Sequence, residues 1–208
     1  MRPANPLRVE TLDDYLERLA SRAPVPGGGS AAAVAGALGA SLVAMVARIG
    51  AGPADLVDEA DSLRAQLQEA RARDEAAFAA VVAAQALPKA GEAESAARRS
   101  ALDAALTEAA EAPLHTALLA LRVLNLAERA YEASSPALVS DAGCAAEFAY
   151  AAVLACAYNV RINHRYMKDR ATIARQAATI AGYEVDASAT LSRLRQQLFA
   201  ALGSARER

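Results

Sequence analysis

The stretch "PVPGGGSAAAVAGALGASLVAMVARIG", Pro24 to Gly50, sets three consecutive glycines directly before a run of small apolar residues. It can be read as a loop that cradles an anion, a membrane anchor or a packing device. Residues 23 to 47 carry no charge, yet the apolar part, Ala31 to Ala47, only just reaches the ~17 residues a membrane span requires. Its Gly- and Ala-rich composition favours a buried central helix over a span. A glycine turn entering a helix offers bare N–H groups to a carboxylate or phosphate at the positive end of the helix dipole. No Gly-Lys-Ser/Thr follows and no strand precedes, so this is neither a Walker loop nor a dinucleotide fingerprint. The plainer alternative is that Gly27, Gly28 and Gly29 allow a tight turn, while Gly36, Gly39 and Ala40 admit a second helix close to the backbone.

The rest of the chain agrees with a helical core. Its 208 residues fit one domain, 1–208. They are 54% apolar but 4% aromatic, with no Trp, so the core is built from Ala, Leu and Val on closely spaced elements. Alanine is the best helix former. A net charge of −2 with both signs interspersed lacks the basic field of a nucleic-acid binder. Cys144 and Cys156 fall on one expected helix, about 18 Å apart, too far to pair. The opening "MRPANPLRVETLDDYLERLAS" has charges where a signal peptide needs an apolar core, so a cytoplasmic protein with no membrane association is expected.

No segment alternates with period 2, and 3.6-residue patterns follow one another with short breaks. The expected fold is all-α, an up-and-down bundle of about seven helices. Thr11 and Asp14 form a capping arrangement for a helix over 11–21, and Ser30 is the expected N-cap of the next, running to about Arg48. A long helix covers about 54–86. Another covers 92–111 and passes through Pro113, a first-turn residue or a kink, into 114–133. The next starts at Asp141 and continues past Lys168. A short one covers 170–181, and after Gly182 a last one, capped by Asp186, runs to the C-terminus.

Asp74 is the residue with the most chemical content. Positions 63, 67, 70, 74, 77 and 81 read Leu, Leu, Ala, Asp, Ala, Val, so a carboxylate occupies a core-facing register. Burial there would raise its pKa and make it a general acid or base near neutrality; alternatively Arg71 or Arg73 neutralises it at the surface. Asn159 and Asn163, one turn apart on the apolar stripe of Ala149, Ala152 and Cys156, can bond the edge of a heterocycle or tie neighbouring backbones together. Asp141 after Ser140 is most simply an N-cap. Arg161, His164 and Lys168 fall on the opposite, solvent-facing side. Neither His115 nor His164 stands in a ligand pattern, so no metal site is legible.

In this order, "PVPGGGSAAAVAGALGASLVAMV", "RDEAAF", "LPK", "EAPL", "VSDAGCAAE" and "NVRINHRYMKD" resemble the cyclodeaminase/cyclohydrolase family of one-carbon folate metabolism, over residues 24–169. The resemblance implies an all-helical homodimer with a folate cleft and no cofactor beyond the tetrahydrofolate substrate. It marks Asp74 as the catalytic carboxylate. Asp141 and the turn Gly27, Gly28, Gly29 and Ser30 look like parts of the site, with Asn159 and Asn163 lining it. Arg98 and Arg99 are placed either to meet a folate carboxylate or on a solvated face. Many relatives carry a Thr/Lys-containing segment after the first buried helix, whereas "RIGAGPADLVDEA" here is acidic.

Two reactions at the carbon between N5 and N10 follow from the resemblance. One is hydrolysis of 5,10-methenyltetrahydrofolate to 10-formyltetrahydrofolate; the other is cyclodeamination of the formimino compound with loss of ammonia. The chain has no room for a formimidoyltransferase domain, which inclines the reading to the cyclohydrolase. The rival from another class is a non-catalytic helical dimer that binds folate or scaffolds a partner. Asp74 paired to a surface arginine would favour the rival; Asp74 and Asn163 converging on one cavity would favour an enzyme.

Overall fold

A computed structural model describes residues 10–203; the charged opening at 1–9 and the last five residues of the expected C-terminal helix lie outside the described residues. The elements are α1 (Leu12–Leu19), α2 (Gly28–Ile49), α3 (Ala54–Ala86), α4 (Glu92–Glu132), a 3-10 turn (Pro136–Leu138), α5 (Val139–His164) and α6 (Arg170–Gly203). The all-α expectation holds, with six α-helices against about seven. Short connections make sequential helices antiparallel. Helices α2, α3, α4 and α5 form a ring in which α2 also reaches α4 across the diagonal, and α6 covers α4 and α5.

Small residues set that geometry. Ala33, Ala40, Val43, Ala44, Val46 and Ala47 of α2 are buried against Leu63 and Leu67 of α3, Leu119, Val123 and Leu124 of α4, and Ala149 and Val153 of α5. A Cβ on Gly39 would lie 2.9 Å from the main-chain oxygen of Ala145, and one on Gly36 would lie 3.2 Å from a Leu67 methyl. For these two glycines the packing reading is correct: at Gly39 α2 approaches the α5 backbone more closely than a side chain allows, and at Gly36 it packs tightly on Leu67 of α3. By length and composition α2 and the stretch Pro136–His164 could each cross a membrane, so α5 shares the property that the sequence reading assigned only to α2. Both turn a buried face into the bundle.

The expected boundaries are corrected at five places. The N-cap of α2 is Gly27, in extended conformation, not Ser30, because the serine hydroxyl is engaged elsewhere. No glycine among the described residues has a positive φ, so the turn uses the glycines for space and not for left-handed backbone. Helix α4 runs unbroken through Pro113, which is buried inside it. Helix α5 ends at His164, short of Lys168, and Asp141 lies in its first turn and is not its N-cap. Helix α6 is continuous through Gly182 and Asp186, because Ile180, Ala187, Leu191 and Leu194 form one buried stripe whose packing outweighs the cost of a mid-helix glycine. The capping box of Thr11 and Asp14 forms as expected.

The acidic 48–60 segment is used structurally. Asp55 and Glu59 meet Arg129 and Arg122 of α4, and Arg48 meets Asp61. These exposed pairs tie α3 to its neighbours, and solvent and salt screen them, so each contributes little.

Candidate active site

Asp74 sits where its register placed it. Leu63, Leu67, Ala70, Ala77 and Val81 of the same stripe are buried, and the carboxyl group faces the first turn of α2. A Cβ on Gly29 would lie 2.1 Å from an Asp74 carboxylate oxygen, so only glycine lets the two helices bring that carboxylate against bare backbone. Burial pushes the Asp74 pKa up to about 6; the Ser30 N–H, donating to the carboxylate, pulls it down, and the charge of Glu75 adds to the rise. Neither arginine neutralises it. Arg71 Nη1 bonds Glu10 at 2.9 Å, and Arg73 Nε bonds Glu108 at 2.7 Å.

A cavity of about 230 Å³ opens in front of the carboxylate. Pro24, Val25 and Gly27 to Gly29 line it from the turn, Asp74 and Phe78 from α3, Ala109 from α4, and Asn159 and Asn163 from α5. Asp74 is the sole ionisable side chain among these lining residues. A larger depression of about 380 Å³ between α1, α2 and α3 is a weaker candidate, since its Glu10 and Arg71 neutralise one another.

The two amides do both things the sequence left open. Asn159 Nδ2 donates to Ala155 O at 2.8 Å, and Asn163 Nδ2 donates to Asn159 O at 2.9 Å and to Ala109 O at 2.7 Å. The last bond has a specific cause. Pro113 has no N–H, so the carbonyl four residues earlier, that of Ala109, lacks its helical donor. Asn163 supplies one across the α4–α5 interface, which explains how α4 carries a buried proline without breaking. Both asparagines line the cavity, and neither amide oxygen takes a donor from the described residues, which leaves both available as acceptors.

Ser30 works behind the site. Its hydroxyl donates to Glu75 Oε1 at 3.0 Å, and the Tyr15 hydroxyl, 3.0 Å away, therefore donates to Ser30. Arg18 reaches both Glu75 and Glu10, and the Arg71 guanidinium lies 5.1 Å from the Tyr15 ring centroid. Helix α1 is thus latched over the Asp74–Glu75 turn. Of the expected set, Gly27, Gly28, Gly29, Asp74, Asn159 and Asn163 line one cavity; Ser30 contributes its backbone N–H from beneath. Asp141 does not join them. It lies 18 residues before Asn159 on a continuous helix, about 27 Å away.

Buried Cys156 lies beneath; burial pushes its thiol pKa up and the charge of Asp74 adds to that, which makes it unreactive. His164 is half-buried, not solvent-facing, with Nε2 2.9 Å from Oε1 of buried Gln176. Sequence reasoning passed over Phe78 and Ala109. Phe78 was findable, because it is one helical turn beyond Asp74 on the same face. Ala109 acts through its carbonyl, which nothing local to its sequence reveals.

Comparison with known proteins places the chain among relatives. A family model described as formiminotransferase-cyclodeaminase matches residues 11–182. The methenyltetrahydrofolate cyclohydrolase of Methylorubrum extorquens is 37% identical over 195 residues, covering 89% of this chain and 94% of that protein. The formimidoyltransferase-cyclodeaminase of Rattus norvegicus is 29% identical over 177 residues, 80% of this chain and 33% of that longer protein. Among solved structures, the formiminotetrahydrofolate cyclodeaminase of Thermotoga maritima has a TM-score of 0.81 at 25% identity, covering 93% of this chain and 98% of that one. With the family model matched over residues 11–182 and a relative 37% identical over most of both chains, the chain belongs to the formiminotransferase-cyclodeaminase family.

Proposed function

We propose that the protein is a methenyltetrahydrofolate cyclohydrolase, with Asp74 as the group that accepts and returns a proton. The observation that carries this is the cavity's charge. The methenyl substrate is an amidinium cation, and the residues lining the cavity offer it one carboxylate, no competing cation and two amide oxygens. Water attacks the carbon between N5 and N10 while Asp74 takes one of its protons. The resulting C–OH adduct collapses to the formyl group as the C–N5 bond breaks; Asp74 returns its proton to N5 and the hydroxyl proton passes to solvent. The balance is one proton released per turnover. General acid–base work of this kind is worth ~10²- to 10⁴-fold in rate.

The second reading is formimidoyltetrahydrofolate cyclodeaminase, a lyase. It is favoured by the Thermotoga structural match, and the same carboxyl group, with its pKa near 6, could protonate departing ammonia. Neither reaction needs a cofactor beyond the folate. A homodimer in the cytoplasm completes the proposal: Phe148, Phe199 and Leu202 stand exposed on the α5–α6 face, and the free Cys144 and Cys156 suit a reducing compartment. Asp141 enters catalysis only through a partner subunit. The test follows loss of methenyl absorbance beside ammonia release from the formimino compound. The proposal expects the first reaction to dominate, and mixed Asp74→Asn and Asp141→Asn chains to recover activity that neither has alone. Ammonia release alone would select the second reading, and neither reaction would remove both.

A further inference from the structure

Beyond the Asp74 cavity, α3 and α4 project as a hairpin, and a second hollow of about 430 Å³ runs along it. It adjoins the site, since Phe78 and Asn163 line both. Its walls are Leu102 and Leu106 of α4, Ile162 of α5 and Tyr166 in the turn that follows α5, with Phe78 of α3 lining it as well. Ile162, Tyr166 and Phe78 are all exposed. Such a wall is unfavourable to leave in water and suits a flat apolar ligand group, with Phe78 and Tyr166 offering aromatic faces.

The hairpin end of this groove is marked by a cation held in place. Arg98, one helical turn before Leu102, donates from Nε and Nη2 to the main-chain oxygen of Gln85, at 3.2 and 3.1 Å, and Gln85 lines the groove. Eleven other arginines, from Arg18 to Arg195, each have a carboxylate partner. Arg98 has none among the described residues, yet its guanidinium is fixed by a backbone carbonyl and keeps N–H groups free. The Asp74 cavity and the apolar groove thus adjoin at Phe78 and Asn163, and Arg98 is held on the carbonyl of Gln85, a residue of the groove's lining.

We propose that this groove binds the aminobenzoyl-glutamate arm of the substrate: the aminobenzoyl ring lies between Phe78, Leu106, Ile162 and Tyr166, and Arg98 takes a glutamate carboxylate. The assignment rests on the folate reading above and fixes the direction in which the substrate lies. The reactive carbon meets Asp74, and the anionic end points along the α3–α4 hairpin. Folates offer this sequence of chemistry, a polar heterocycle, an aromatic spacer and an acid.

The test compares 5,10-methenyltetrahydrofolate with 5,10-methenyltetrahydropteroate, which lacks only the glutamate, on wild-type, Arg98→Ala and Ile162→Glu enzymes. Arg98→Ala is expected to raise KM for the glutamyl substrate by about tenfold, from loss of a charged hydrogen bond, with kcat and the pteroate KM unchanged. Ile162→Glu is expected to raise KM for both, since both carry the ring. Equal effects of Arg98→Ala on the two substrates, or none on either, would overturn the assignment while wild-type turnover still upheld the folate reading. A change of oligomeric state in Ile162→Glu with KM untouched would make the groove a subunit contact instead. If the wild type turned over neither substrate, the folate reading and the arm assignment would fall together.

Discussion

At Asp74, neighbouring groups act on one carboxyl group in opposite senses: burial and the adjacent Glu75 favour the protonated form, and the Ser30 N–H favours the anion. The net rise to about 6 means the folded protein binds a proton that the unfolded chain, with an ordinary aspartate near 3.8, has already released. The stability this proton confers is complete below about 3.8 and is lost as pH rises through about 6. Asp74→Asn should therefore stabilise the protein by about 2 to 3 kcal/mol at pH 8 and by nothing comparable at pH 3.5. Thermal denaturation at the two pH values checks this; an equal shift at both would mean the carboxylate is not strained by its surroundings. Asp74 was legible in the sequence because an ionisable group stood in an otherwise apolar register. Its freedom from arginine was not, because the partners of Arg71 and Arg73, Glu10 and Glu108, lie 61 and 35 residues away.

Among elements, α4 shows how a local rule yields to a distant side chain. Pro113 reads as a first-turn residue or a kink, and in isolation it would disturb the helix, since it removes a helical bond at Ala109. Asn163, on another helix, bonds that carbonyl, so the proline orients an amide that lines the site. Pro113→Ala restores the helical N–H and makes Asn163 redundant at Ala109. The variant is expected to be at least as stable as wild type but to bind folate more weakly, by about 1 kcal/mol, as the Asn163 amide loses its fixed orientation. Calorimetry with a non-reacting folate checks it, and unchanged affinity would make the proline–asparagine contact purely structural. Asn163 was visible as a polar residue on an apolar stripe; its bond to the Ala109 carbonyl was not, because it joins positions 54 apart in sequence. The merged α6 has the same origin, a buried stripe that overrides Gly182.

For the whole molecule, the small residues of α2 are what connect fold to chemistry. Gly36 and Gly39 bring α2 deep into the ring, and Gly29, one end of the same helix, admits the Asp74 carboxylate where any side chain would collide. The fold class was legible because this uncharged, Ala-rich run suits a buried central helix and the rest of the chain follows 3.6-residue patterns. The cavity was legible in part: its glycines, aspartate and asparagines stood out, whereas Asp141 lies at the far end of α5 and Phe78, one turn beyond Asp74, was passed over. The stretch from Pro24 to Gly50 thus serves packing along its length and chemistry at its N-terminal turn. The most direct measurement is the pH dependence of kcat/KM for methenyltetrahydrofolate hydrolysis. With Asp74 as the base, the rate rises through an apparent pKa of about 6 to a plateau, and Asp74→Asn loses that limb together with ~10²- to 10⁴-fold of the rate. An Asp74→Asn enzyme that kept both the limb and the plateau rate would contradict the account.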